Sequence, residues 1–275
     1  MQIVNLFCAS CAFISGLALT SPSRSGTPSP QRPSVALYTS VKTGRNIAPQ
    51  KCFHELTSRI HYDTRFVKGA LSQSDRHGHL SALVRAYLST MDDIGTETWL
   101  MHGSLLGWFW NGRIMPWDAD VDVQITEKSM QHLADYYNMT VHRYSPPGSN
   151  LRRDYLLEIN PKWADPSTSD VDSKIDGRWL DMETGLFIDI ATLRYGEQDG
   201  SGGGEGVVMC KDGHRYRHRD IFPLRTTTFE GVPARVPFAY ANVLTEEYGA
   251  SSLSETKYKH HVFDRDLQEW LSSAR

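Results

Sequence analysis

The run Pro116-Trp117-Asp118-Ala119-Asp120-Val121-Asp122-Val123 constrains the fold of this chain more than any other stretch. Side chains of an extended strand alternate between faces, so a strand here sets Asp118, Asp120 and Asp122 on one side and Ala119, Val121 and Val123 on the other. The apolar side has to pack against a core. The three carboxylates repel one another unless water solvates them as an exposed acidic edge, or a cation sits between them. An oxygen-only ligand set suits Mg²⁺ or Mn²⁺ rather than zinc. In isolation such a run is more often a solvated face, so its surroundings decide.

Upstream lies His102-Gly103-Ser104-Leu105-Leu106-Gly107. Gly103 lets backbone approach a ligand closely, and Ser104 stands where a helix is predicted to open. Exposed amides and a hydroxyl at a helix start can hold the phosphates of a nucleotide, and Ser104 can equally serve as a helix cap. Downstream, Phe187-Ile188-Asp189-Ile190 embeds one acid in an apolar strand. A carboxylate is costly to bury there without a partner. A salt bridge to Arg178 or Arg194 accounts for it, and so does a metal site completed with Asp120 and Asp122. Arg113 is a candidate partner for a donor phosphate or for Asp118. Trp108, Trp110 and Trp117 can frame a sugar or a base, with core packing expected for at least two of them. Cys210, Asp212, His214 and His218 include zinc-ligand types, but the single cysteine and glycine-flanked setting favour surface or acceptor-side polar residues. His260 and His261 read as exposed histidines.

The elements alternate in type along the chain. Leu80, Leu83, Val84, Tyr87, Leu88 and Met91 recur at helical spacing and predict an amphipathic helix over 77–94. Short strands are predicted at 98–101, 121–125, 155–159 and 186–193, helices from Ser104 and over 127–137, then a strand over 229–236 and a helix ending at Gly249. Mixed α/β is the resulting class.

The first twenty residues carry no charged side chain and are mostly apolar, which fits a cleaved signal peptide or a short uncleaved anchor that would associate with a membrane. Residues 21–50 are rich in Ser, Pro, Thr, Gly and Arg and read as a disordered linker, and 200–206 as a flexible loop. The folded domain is expected over 51–275. In a secretory lumen Cys52 and Cys210 can pair or remain free thiols. A net charge of −3 speaks against sequence-blind nucleic-acid binding.

A Gly-Ser pair, a strand with alternating acids and a lone acid on a later strand together resemble the DNA polymerase beta-like nucleotidyltransferase superfold. The words around them resemble the LicD and fukutin-related branch, which reads G-T-L-L-G and then P-W-D-x-D-x-D. Tyr155-Leu156-Leu157-Glu158-Ile159-Asn160-Pro161, Asp176-Gly177-Arg178-Trp179, Gly185-Leu186-Phe187-Ile188-Asp189-Ile190, Asp220-Ile221-Phe222-Pro223-Leu224-Arg225 and Phe229-Glu230-Gly231-Val232 extend the likeness towards fungal proteins of cell-wall mannan phosphorylation. The resemblance spans about 78–261. It implies a mixed sheet flanked by helices with a C-terminal extension, and a Mn²⁺- or Mg²⁺-dependent phosphotransferase of the secretory lumen, Golgi-resident or secreted. Mannose-1-phosphate would pass from GDP-mannose to a glycan hydroxyl. A CDP-alcohol such as CDP-choline is the alternative donor, and a non-catalytic partner of another transferase is the alternative role. By the same match Asp120 and Asp122 are metal ligands, and Asp189 is the third ligand or the base. Gly103, Ser104 and Arg113 are donor-phosphate contacts. Asp118 fits the acid template with Asp120 almost as well as Asp120 does with Asp122. Ser104 replaces the commoner Thr and keeps the hydroxyl.

Overall fold

The computed structural model describes residues 61–145, 152–165, 174–196 and 206–273, with Phe53 and the backbone of the strands at 36–40, 55–56 and 59–60. The first two-thirds of the chain hold β1 (Ala36–Ser40), β2 (Glu55–Leu56), β3 (Arg59–Asp63), α1 (Gln73–Asp93), β4 (Thr98–Leu100), α2 (His102–Asn111), β5 (Asp122–Thr126), α3 (Glu127–Tyr136), β6 (Thr140–Tyr144), β7 (Arg153–Ile159), β8 (Gly177–Asp181) and β9 (Phe187–Tyr195). There follow β10 (Val207–Met209), β11 (Arg215–Arg217), α4 (His218–Ile221), β12 (Arg225–Phe229), β13 (Val232–Val236), α5 (Tyr240–Tyr248), a 3₁₀ turn (Ala250–Leu253), β14 (Lys257–Tyr258), β15 (His261–Asp264) and β16 (Glu269–Ser272). The putting of β1 inside 21–50 places a strand within the stretch that composition marks as linker. The segment 1–20, Cys52 and residues 200–205 lie outside the described residues. Among the described residues no helix is long and apolar enough to cross a membrane.

One mixed sheet runs β1-β6-β7-β8-β9-β10-β11, with β5 joining β9 and β4 joining β5. The β5–β9 pair is parallel and the others are antiparallel, so the α/β class and the mixed, helix-flanked sheet stand as expected. β9 is the hub: β5 pairs with Asp189–Leu193 and β10 with its end at Arg194 and Tyr195. Helix α1 is capped by the Ser72 side chain, which accepts from the Asp75 amide. All six apolar residues of its predicted face are buried, each contributing about 1.5–3 kcal/mol of transfer free energy.

Three local expectations need correction. β5 begins only at Asp122, so Asp118 and Asp120 lie in its lead-in, where the Asp118 amide donates to the Met115 carbonyl (3.0 Å). Helix α2 opens two residues before Ser104, with Met101 as its N-cap residue, so Ser104 does not cap it. The stretch 229–236 is not one strand but the end of β12, a turn and β13, the second arm of a hairpin: Phe229 pairs with Val232 across Glu230-Gly231, both at positive φ. Two successive left-handed residues suit the twist of a two-residue hairpin, and tertiary contacts hold the unusual Glu there. Its carboxylate accepts from the Ile114 amide (2.9 Å) and the Ser81 hydroxyl (2.7 Å). At Cys210 the free-thiol alternative holds; it is buried and takes a hydrogen bond from Gln124 (3.3 Å).

Candidate functional site

The parallel register of β5 and β9 sets Asp122 directly beside Asp189. Ser104 is buried, and its hydroxyl accepts from the Asp122 amide (3.0 Å), while the Asp122 carbonyl accepts from the Met101 amide (3.3 Å). These two bonds clamp the first turn of α2 to the first residue of the acid-bearing strand. Ser104 therefore serves the acids from inside. Gly103 stands closer to the opening: a Cβ there would lie 3.0 Å from Asp118 Oδ2. The start of α2 has no side-chain cap, so its first amides face this region uncapped.

The lone acid in the apolar strand has the salt bridge that its sequence context allows. Arg178 sits opposite Asp189 on β8 and donates from Nε to Oδ1 (2.8 Å), with its guanidinium over the Phe187 ring (3.8 Å). Arg194, the other candidate, instead reaches Asp176 (3.0 Å). Asp189 is thus both paired and adjacent to Asp122, and the two readings of it are compatible.

Asp120 approaches His61 Nε2 (3.4 Å). Burial first, and then the charge of Asp120, pushes the Asp118 carboxyl up to about 7, while Lys259 pulls it down. Burial and the charges of Asp120, Asp189 and Glu247 push Asp122 up to about 8 against the pull of His102. Carboxyls crowded in this way cannot all stay ionised near neutrality without a counter-cation. The donor set is all oxygen, the chemistry a hard divalent ion takes, although no three of the carboxylates of Asp118, Asp120, Asp122 and Asp189 converge within 4.8 Å of one another.

Asp118 and Gly103 also line a cavity of about 250 Å³ whose walls include Trp110, Trp117, Tyr258 and Trp270, with Lys259 at its edge. Aromatic walls beside a few polar groups suit a sugar or a base. Trp110 and Trp117 pack on Met115, Phe263 and Trp270, so they join a small core and the cavity wall at once. Trp108 packs on the main core and donates to Thr227 (2.8 Å). Arg113 is exposed and pairs with Glu269 of β16 (2.9 Å) rather than with one of the acids.

Sequence reasoning missed several polar neighbours of the acids. His61, Glu247 and Lys259 come from elements far apart in the chain, and no local spacing marks them. His102 was visible only as a motif word. It takes up a positive φ of 51° and donates from Nδ1 to Glu247 Oε1 (2.6 Å). Burial alone would lower the imidazole pKa, yet the Glu247 hydrogen bond and the charges of Glu247, Asp122 and Asp212 raise it above the ordinary value.

Comparison with known proteins points the same way. A model of the family described as "LicD/FKTN/FKRP, nucleotidyltransferase domain" matches residues 95–239, about half of the chain. That span includes α2, the acidic run, β8 and β9. Mannosyltransferase regulator 4 of Saccharomyces cerevisiae is 30% identical over 168 residues, covering 58% of this chain and 14% of that protein. Mannosyltransferase regulator 14 of the same yeast is 29% identical over 209 residues, covering 66% of this chain and 22% of that protein. The chain therefore spans less than a quarter of the length of these relatives.

Proposed function

The chain belongs to the LicD/FKTN/FKRP nucleotidyltransferase-domain family, and on that premise we propose that its acidic cleft transfers mannose-1-phosphate from GDP-mannose to a glycan hydroxyl. The observation that carries the reading is the junction of cavity and acids. Asp118 belongs to both, with aromatic walls on one side and Asp120, Asp122 and Asp189 on the other. The names of the yeast relatives, as mannosyltransferase regulators, support a mannose-bearing glycan as the setting. The apolar N-terminus supports a secretory lumen, such as the Golgi, as the location.

In this reading Asp120, Asp122 and Asp189 hold Mn²⁺ or Mg²⁺. The ion, when bound, neutralises charge developing on the phosphate oxygens. Arg178 fixes one oxygen of Asp189 and so orients that carboxylate as a ligand. The uncapped amides at the start of α2 receive the donor phosphates, and Gly103 permits the close approach. Trp117 and Tyr258 flank the sugar or the base. Asp118 lines the cavity beside these acids and is placed to take the proton of an acceptor hydroxyl.

A second reading has the same relatives in its favour: a non-catalytic partner that binds donor or glycan and supports another transferase. The purified chain, incubated with Mn²⁺, a mannan oligosaccharide and either GDP-mannose or CDP-choline, separates these. GMP formed together with a phosphorylated glycan is the expected result, absent with Asp122→Asn. CMP in its place moves the donor to the CDP-alcohol class. Metal-dependent donor binding without turnover favours the supporting role.

A further inference from the structure

A second group of metal-ligand types lies beside the cleft and belongs to none of the roles above. We propose that His102, Asp212 and His214 form a site for a borderline-soft divalent cation, zinc foremost, distinct from the oxygen-only set of the acids. One ligand atom from each of the three lies within 4.8 Å of the others. The two imidazole rings are 4.6 Å apart between centroids and tilted by 51°, and His214 Nδ1 lies 3.1 Å from Asp212 Oδ1.

The backbone brings these residues together by construction. Asp212 and His214 ride on the turn between β10 and β11, which is tied across its base. The Cys210 amide donates to the His214 carbonyl (3.0 Å) and the Gly213 amide to the Cys210 carbonyl (3.1 Å), with Gly213 at a φ of 100° that only glycine tolerates well. The His214 amide donates to Asp212 Oδ1 (3.0 Å). Lys211, next to Asp212, is buried, reaching Asp176 Oδ1 (3.0 Å) and the Lys162 carbonyl (2.6 Å). The turn is thus anchored from inside beside Asp212.

His102 supplies the third ligand from the first position of α2. Its Nδ1 is committed to Glu247, which leaves Nε2 as the ring nitrogen for a metal. A carboxylate holding the far side of an imidazole is the usual support of a metal-bound histidine, because it fixes the tautomer and the ring plane. Two imidazoles and one carboxylate, with a position left for water, suit zinc and disfavour Mg²⁺. Bonds of about 2.0–2.2 Å in a tetrahedron put ligand atoms about 3.3–3.5 Å apart. Closing from 4.8 Å calls for side-chain rotation only, and Asp212 (23% exposed) and His214 (44% exposed) have room for it. Such an ion would fasten the β10–β11 turn to the start of α2, next to Asp122.

Cobalt(II) tests this, since its visible spectrum reports ligand type and coordination number. The full chain, stripped of metal, is titrated with Co²⁺ and then with Zn²⁺. One equivalent should give the intense bands of a four- or five-coordinate site, and Zn²⁺ should bleach them. His214→Ala and Asp212→Asn, both at a surface turn, should each weaken this binding at least tenfold. Mn²⁺ binding, followed by electron paramagnetic resonance, should persist in both variants. The proposal is overturned if Co²⁺ gives only the weak spectrum of a six-coordinate ion. It is equally overturned if both variants bind Co²⁺ as the unaltered chain does.

Discussion

Asp122 gathers more constraints than any other side chain of the cleft. Its amide is held by Ser104, its strand partner is Asp189, and Asp120, Glu247 and His102 all act on its charge. Asp122→Asn keeps the shape and removes the charge, so the fold should persist. Turnover should fall by roughly a thousandfold or more, because a charged ligand to the ion is lost. In the metal-free protein the same change removes the cost of holding a buried carboxyl in its protonated form. Calorimetry should therefore find its melting temperature unchanged or a few degrees higher, at roughly 2–4 °C per kcal/mol for a chain of this size. Added Mn²⁺ should raise the melting point of the unaltered chain more than that of the variant. Full turnover by Asp122→Asn, or by the corresponding Asp120→Asn, would sink the assignment of these acids to a metal.

Helix α2 carries the cleft's most exacting backbone contact. A Cβ on Gly107 would come within 2.3 Å of the Arg113 carbonyl and 3.3 Å of the Met115 amide. Gly107→Ala must therefore push the helix away from the loop that leads to the acids. Overpacking of this kind costs about 1–3 kcal/mol. Urea unfolding should register that loss, and donor affinity should fall with it as Asp118 and Gly103 separate. Wild-type stability in this variant would mean the loop yields freely. The glycine could be read from the motif, but its reason could not, because Arg113 approaches through the chain's return path. The same distinction runs through the other elements. Helix α1 was legible because its six apolar residues repeat on one face, and β9 because its run is apolar. β8 was not, since Arg178 and Asp181 read as polar until Asp189 opposite Arg178 and Thr184 beside Asp181 pair with them. The acids of the site were legible as a local pattern. His61, Glu247, Lys259 and the turn at Asp212 and His214 became neighbours only through the sheet order and the C-terminal extension.

At the scale of the whole molecule, stability depends on polar groups taken deep into the sheet. Asp176 is buried between Arg194 (3.0 Å) and Lys211 (3.0 Å) and also accepts from the Thr192 amide (2.9 Å), so its charge is matched on each side. His142 on β6 is a different case, buried with 2% exposure and hydrogen-bonded to Thr140. The Thr140 hydroxyl gives its hydrogen to the Tyr137 carbonyl (2.6 Å), so it accepts from His142 Nε2 (2.7 Å), which sets the Nε2–H tautomer for the neutral ring. Burial lowers the imidazole from 6.5 to about 4. The unfolded chain then takes up a proton below 6.5 that the folded chain refuses until about 4. Stability from this residue is thus complete above pH 6.5 and drains away as the pH falls towards 4. The separation corresponds to on the order of 3 kcal/mol. Asp118 and Asp122, whose carboxyls are raised, act with the opposite sign over an overlapping range, so the total pH profile cannot isolate His142. The difference between the unaltered chain and His142→Gln can. Urea unfolding at a series of pH values from 7.5 to 4.5 should show the two curves converging as the pH drops, because the glutamine chain lacks that loss. Parallel curves would mean that His142 titrates alike in both states and that the interior admits its charge.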